Sequence, residues 1–404
     1  MNSRIFFVLI AFQVLSTYAA PRSGCTISIN NDLGDPQPLV IKPNGGVGQE
    51  AFYQPTSGDK IVLNDGDVVE VACPNNNLVI DGVSGNRVDE AVCNGGKFDI
   101  DGQTVYFSDI TCKSNPYHVA KKIEDATCTN GKTPFEIGFE VDENRFLKII
   151  DICFDEDLQT TLYSRFDLPR SIGGYQSGFP RPGWNAEHFT APNVDNLYTR
   201  NTQRTTINAL LGLPSNSYKY IAQSSDYFMS RGHLTAKADF VYGAHQRGTF
   251  YFLNAAPQWQ TFNGRNWNSL EQDVRGYAAD EQKNLVVYTG THGVATLPHE
   301  ETGEEIELYL YVNGDVKQIP VPQLYWKVVY EPSTKSAIAF VGVNNPYVED
   351  LTDQIICNDI CDRINWLSWD QHDSQDGYSY CCSVDELKET VKNLPDLDVQ
   401  GLLQ

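Results

Sequence analysis

The chain is short of positive charge. Its 404 residues carry 30 Lys and Arg against 52 Asp and Glu, a formal net charge of −22. A basic footprint spread over the whole surface, usual in nucleic-acid binders, is therefore excluded. No apolar run after residue 20 is longer than the 11-residue stretch from Ile5 to Leu15. A membrane-spanning helix takes about 20 apolar residues, so none is expected. No Asn-x-Ser/Thr sequon occurs, so N-linked glycosylation is not expected either. Internal repeats and low-complexity tracts are also missing, which argues against a solenoid or a disordered chain.

What is present points to export. Arg4, the apolar stretch to Leu15 and the small residues ending at Ala20 read as a secretory signal over residues 1–20. Ten cysteines follow it: Cys25, Cys73, Cys93, Cys112, Cys128 and Cys153, then Cys357, Cys361, Cys381 and Cys382. An even number in a secreted chain predicts disulfides, three in the first group and two in the second, with the pairing left open. A four-thiolate zinc site in the second group is the alternative. The oxidising compartment and the lack of a Cys-x2-Cys spacing argue against it.

Length allows two domains of ordinary size. Residues 21–150 read as a disulfide-bonded all-β domain. Short β-branched and aromatic runs (Ile61–Leu63, Val68–Ala72, Leu78–Ile80, Thr104–Ile110, Phe135–Phe139) alternate there with Gly, Asn and Asp clusters. With one histidine, His118, this part reads as a binding or shielding module. Residues 151–345 mix strands and helices. A helix is expected over Thr205–Leu213, and strands over Thr249–Leu253, Leu285–Thr289 and Leu324–Tyr330. Trp267, Leu270, Val274 and Tyr277 fall on one face of a further helix. Residues 346–404 form a cysteine-bearing extension ending in a helix over Val384–Leu394.

The chemistry concentrates between Ser230 and Arg275. Arg231-Gly232-His233, Asn254, Gln258, Asn263, Glu271 and Arg275 are polar groups in an otherwise aromatic and apolar stretch. Hydrolysis of a phosphodiester needs a base for water and a cation for the developing charge. His is the natural base near neutral pH, and Asn offers the hard oxygen that Mg²⁺ prefers. If Asn263 and Glu271 shared one helix, eight residues would separate them by about 12 Å along its axis. Glu271 would then act through metal-bound water. Charge is also uneven: residues 161–280 hold 11 Lys/Arg and 8 Asp/Glu, a net of +3, which leaves −25 for the rest.

These residues carry a resemblance. Ser230-Arg231-Gly232-His233, then Phe250 to Gln258, then Asn263-x3-Trp267-x2-Leu270-Glu271 resemble the DNA/RNA non-specific endonucleases, the ββα-metal or His-Me finger nucleases. Further similar blocks run from Pro182-x-Trp184 through Val287–Gly290 to Pro320–Val329, so the likeness covers roughly residues 160–345. It implies an α+β fold, with a mixed sheet and flanking helices around the ββα unit, preceded by the β domain. It implies a secreted, Mg²⁺-dependent hydrolase, Mn²⁺ being a possible substitute, that reads the phosphate backbone of DNA and RNA without sequence preference. His233 would be the general base, Asn263 the metal ligand, and Glu271 the acid that orients metal-bound water. Arg231 and Arg275 would contact phosphate, and Asn254 would support the site. An upstream arginine is also implied, for which Arg204 or Arg200 is the candidate.

Position 230 departs from the Asp-Arg-Gly-His pattern usual in that family. This departure and the acidic balance motivate a rival reading, a secreted nucleic-acid-binding protein with residual or no cleavage. Plainer roles also fit each residue taken alone. Asn263 could cap a helix beginning near Gly264. Glu271 and Arg275 could be an ordinary i, i+4 ion pair. Trp259, Phe262 and Trp267 read as core, and His188, His245, His292 and His299 as structural.

Overall fold

The computed structural model describes residues 23–404; the expected signal segment lies outside the described residues. The amino-terminal part is built from short antiparallel strands. Five of them, in the order Leu39–Ile41, Val68–Ala72, Val88–Asn94, Lys97–Ile100 and Gln103–Val105, make one sheet. A pair, Cys25–Ser28 with Lys60–Leu63, and a triplet around Leu78–Ile80 complete it. The expected run Thr104–Ile110 is broken by a short helical turn at Phe107–Asp109.

A nine-stranded sheet organises the rest. Its ordered path is β1 (Val119–Lys122), β2 (Thr133–Asp142), β3 (Arg145–Asp155), β4 (Thr160–Leu168), β7 (Leu285–Val294), β8 (Pro322–Glu331), β9 (Ser336–Val343) and β10 (Ser379–Cys382). Those pairs are antiparallel, while Gly401–Leu402 joins β9 in parallel, which makes the sheet mixed. Strand pairing runs unbroken across residue 150, because β3 spans it and pairs on both sides. The carboxy-terminal extension likewise contributes β10 and the Gly401–Leu402 strand. β9 reads Ser-Ala-Ile-Ala-Phe-Val-Gly-Val and is buried from Ala337 to Val343. A strand covered on both faces has this continuous apolar reading rather than an alternating one.

Two helices flank the site, α1 (Arg200–Leu210) and α2 (Asn266–Asp280). Thr199 caps α1 by accepting the Thr202 N–H. Gly212, at φ 69°, lies just past its end, and Asn208 donates to the Pro214 and Ser217 carbonyls beyond. α2 buries Trp267, Leu270, Val274 and Tyr277, the face expected from their spacing. The last helix covers Val384–Thr390. Residues 249–253 are not a strand: Phe252–Asn254 is a short helical turn before the next strand. Thr161 Oγ1 donates to the Leu253 carbonyl and Asn254 Nδ2 to the Thr249 carbonyl, bonds the apolar pattern does not reveal.

All ten cysteines pair: Cys25–Cys93, Cys73–Cys112, Cys128–Cys153, Cys357–Cys382 and Cys361–Cys381. Three bridges fall in the first group and two in the second, and the thiolate zinc site is thereby excluded. One continuous apolar core reaches from Cys25 to Leu403, so both parts of the chain share it.

His245 shows what that core demands. It is 1% exposed, and its ring centroid lies 4.2 Å from that of Phe52. Burial lowers its pKa to about 3. Below its usual value of 6.5 the unfolded chain takes up a proton that the folded chain refuses, so stability falls as pH drops through that window. Between pH 7 and pH 5 this amounts to about 2 kcal/mol. Thermal melts of His245→Leu should show a flatter pH slope over that interval. An unchanged slope would sink the assignment.

Candidate active site

Strand β5 (Met229–His233) pairs antiparallel with β6 (Ala255–Trp259), placing Ser230 opposite Gln258 and His233 opposite Ala255. A Cβ added to Gly232 would lie 2.3 Å from Gln258 Oε1, so the pair closes only with glycine there. Alternation along β5 sends Arg231 and His233 to one face and Ser230 to the other. After β6 comes a short helix, Gln260–Asn263, and then α2. Asn263 and Glu271 therefore lie on two helices separated by Gly264 and Arg265, not on one. The 12 Å spacing expected for a continuous helix does not apply. Arg265 holds the N-cap place of α2, so Asn263 is not its cap.

His233 packs its ring 4.7 Å from Trp184 and 4.9 Å from Phe250. Its Nε2 is buried without a hydrogen-bond partner. Burial first, then the positive charges of Arg181 and Lys237, lowers its pKa to about 3. The imidazole is thus neutral, the form a general base requires. An approaching phosphate anion opposes those cations and raises its proton affinity.

Asn254 clamps the chain that follows. It is fully buried; its Oδ1 accepts the Thr235 N–H at 2.9 Å, and its Nδ2 donates to the Thr235 and Thr249 carbonyls at 2.9 Å. Replacing it would leave those backbone groups unpaired inside the protein, at about 1–3 kcal/mol each.

Arg231 extends between the rings of Tyr198 and Phe252. It donates at 2.6 Å to Asp195, an exposed carboxylate, while its Nε is buried and unpartnered. A phosphate at Arg231 must displace Asp195. Such an exposed pair is worth up to about 1 kcal/mol. Asp195→Asn should therefore lower KM for DNA by roughly 2- to 5-fold with kcat little changed. Steady-state kinetics at fixed salt decide it, and a raised KM would count against the contact.

A buried charge cluster gathers around Glu271. Arg275 donates to Asp239 at 2.8 Å, and Asp239 also accepts the Ala236 N–H. Lys327 is 1% exposed, donates to Thr289 Oγ1 at 2.6 Å, and has its pKa lowered by burial. Glu271 is drawn above the usual carboxylate range by burial and then by Asp239, against the pull of Lys327, Arg275 and Arg181. Arg275 is thus paired with Asp239 rather than with its helix neighbour alone.

The upstream arginines stack on aromatic rings. Arg204 stacks 4.3 Å from the Tyr218 ring centroid and donates to the Ile221 carbonyl; Arg200 stacks 3.7 Å from that of Phe228. Both tie α1 to the loop at 218–228. The exposed Arg181 instead acts on both His233 and Glu271. Arg181, Lys237, Asp239 and Lys327 were missed by reading the sequence. Only the Pro182-x-Trp184 block beside Arg181, and the block holding Lys327, gave a signal.

Asn263 donates from Nδ2 to Ser230 Oγ at 3.0 Å, and no protein donor is seen on its Oδ1 among the described residues. Gln258 is fully buried with both amide atoms unpartnered. A hard cation that keeps most of its water fits these neutral oxygen donors.

A ββ pair ending in a neutral histidine, followed by helices that carry an amide oxygen and a carboxylate, defines the ββα-metal class. The chain belongs to the DNA/RNA non-specific endonuclease family, whose profile matches residues 130–387, more than half of its length. It is 29% identical to a salivary endonuclease of Lutzomyia longipalpis, over 97% of this chain and 90% of that one. It is 25% identical to the salivary protein Tsal1 of Glossina morsitans morsitans, over 78% and 77% of the two chains. A chain of the solved EndoG/EndoGI complex aligns at 18% identity and a TM-score of 0.35, covering 60% of this chain and 81% of that one.

Proposed function

We propose that this protein is a secreted, divalent-metal-dependent endonuclease that hydrolyses DNA and RNA to 5′-phosphorylated oligonucleotides. The observation that supports it most is His233, neutral and unpartnered at Nε2 beside the field of Arg181, in a chain of this family. Five disulfides and salivary relatives support secretion.

In this reading Arg181 and Arg231 hold the phosphate, Arg231 leaving Asp195 to do so. His233 takes a proton from water as the water oxygen bonds to phosphorus. The bond from phosphorus to O3′ breaks, O3′ takes a proton from solvent water and leaves as a hydroxyl, and His233 returns its proton to solvent. Asn263 would hold Mg²⁺ or Mn²⁺ through Oδ1, which supplies charge neutralisation at phosphate and leaving oxygen. Glu271, within the attraction of Lys327 and Arg275, would orient water at that cation. Phosphate groups carry no sequence information, so cleavage is non-specific.

Plasmid digestion with Mg²⁺, repeated with EDTA and alongside binding measured over a salt series, tests this. Nicking with Mg²⁺ that EDTA abolishes is expected. Salt-sensitive binding without metal-dependent nicking would favour the binding-protein reading.

A further inference from the structure

Ser230 sits between two groups that make opposite demands on its hydroxyl. Its Oγ lies 3.0 Å from the Gln258 carbonyl, directly across the strand pair, and 3.0 Å from Asn263 Nδ2. A hydroxyl has one proton and two lone pairs. The carbonyl can only accept, so the proton goes to Gln258 O. What remains for Asn263 is a lone pair, and only the NH₂ end of its amide can use one. The orientation of Asn263 follows from this accounting.

We infer that Ser230 is a positioning residue that locks the Asn263 amide with its NH₂ inward, leaving Oδ1 to face a divalent cation. The inference rests on the proposed cation site and adds to it the device that makes an asymmetric amide act as an oxygen donor. An amide with the other end outward would present NH₂ to the cation, which repels it. The hydroxyl achieves this without adding negative charge, since it is neutral and already committed to a backbone carbonyl. A carboxylate at 230 would have no proton for Gln258 O and would face that carbonyl as a second acceptor.

The test is Mn²⁺ binding to the full chain without nucleic acid, followed by water-proton relaxation, together with the Mn²⁺ dependence of nicking. Outer-shell partners of metal ligands commonly contribute 10- to 100-fold in affinity. Ser230→Ala should weaken Mn²⁺ binding by about 10-fold and raise the half-saturating Mn²⁺ for nicking in step. The rate at saturating Mn²⁺ should change far less. Ser230→Thr, which keeps the hydroxyl, should restore binding to within about 2-fold. Asn263→Asp offers two equivalent oxygens, so adding Ser230→Ala to it should weaken binding by less than about 2-fold. The double variant also covers the case in which Ser230→Ala alone folds poorly.

Wild-type affinity in Ser230→Ala overturns the inference and leaves the cation site standing. Equal weakening in the alanine and threonine variants overturns it too, since that marks a packing effect. An additive loss in the double variant has the same meaning. No Mn²⁺ binding by the wild-type chain overturns the cation reading and the inference together.

Discussion

His233→Ala is expected to slow Mg²⁺-dependent plasmid nicking by about 10²- to 10⁴-fold, the usual contribution of a positioned base. Binding to the same DNA should stay within a few-fold, because Arg181 and Arg231 are untouched. The imidazole is unusual in being so poor a base at rest, with burial, Arg181 and Lys237 holding its pKa to about 3. It becomes effective only when a phosphate anion offsets those cations, so water is activated where the substrate is. The pH profile should carry this signature: no loss of activity from protonation of His233 in the free enzyme between pH 5 and pH 7. The variant also removes a ring packed against Trp184 and Phe250, so its melting temperature must be measured beside its rate. Partial rescue by added imidazole separates a lost base from a collapsed pocket. Nicking at the wild-type rate would overturn the assignment.

Much of this site was legible because its parts are close in sequence. Arg231, His233, Asn254, Asn263 and Glu271 fall within one ββα unit, and its α2 face appears directly in the spacing of Trp267, Leu270, Val274 and Tyr277. The break between Asn263 and Glu271 was harder. Gly264 is a weak helix former, but only the packing of Phe262 and Trp267 against Tyr325 fixes a bend there. The buried charges of Asp239 and Lys327 went unread for a different reason, although the block holding Lys327 was noted. A buried charge is tolerated when a partner arrives from elsewhere in the chain; Arg275 comes to Asp239 from α2, and Thr289 comes to Lys327 through the pairing of β7 with β8. The rings beside Arg200 and Arg204 were unread because an arginine on a helix carries no mark of what it stacks against. The cysteine count gave the number of bridges in each group, but the pairing required the strands.

A chain beginning at residue 156 is expected to be insoluble or to lack a cooperative melt, although it holds every residue assigned a chemical role. Removing residues 23–155 strips β1, β2 and β3 from the central sheet and leaves β4 as a bare edge. Unpaired edges of this kind promote aggregation. Phe135, Ile137, Phe139, Leu147, Ile150 and Phe154 leave with those strands, and the apolar surfaces that they cover become wet. Six such side chains represent roughly 9–18 kcal/mol of burial, against a typical total stability of about 5–15 kcal/mol. The loss also reaches the site directly. Gln176 Oε1 accepts from Gln37 Nε2 at 2.7 Å and from the Gly243 N–H at 2.9 Å, and Gln37 Oε1 accepts the Ala244 N–H at 3.1 Å. Tyr242 donates to the Tyr53 carbonyl in the same region. These bonds hold the segment between Asp239 and Thr249, which carries the partner of Arg275 and ends at the Asn254 clamp. On this view the amino-terminal β region is a buttress for the loop behind His233. Gln37→Ala in the full chain is the milder probe, and should lower stability by about 1–3 kcal/mol by unpairing buried amides. Soluble expression, thermal melts and nicking of the truncated chain settle the matter. A soluble 156–404 fragment that melts cooperatively and nicks at the full rate would show that the β region has its own purpose.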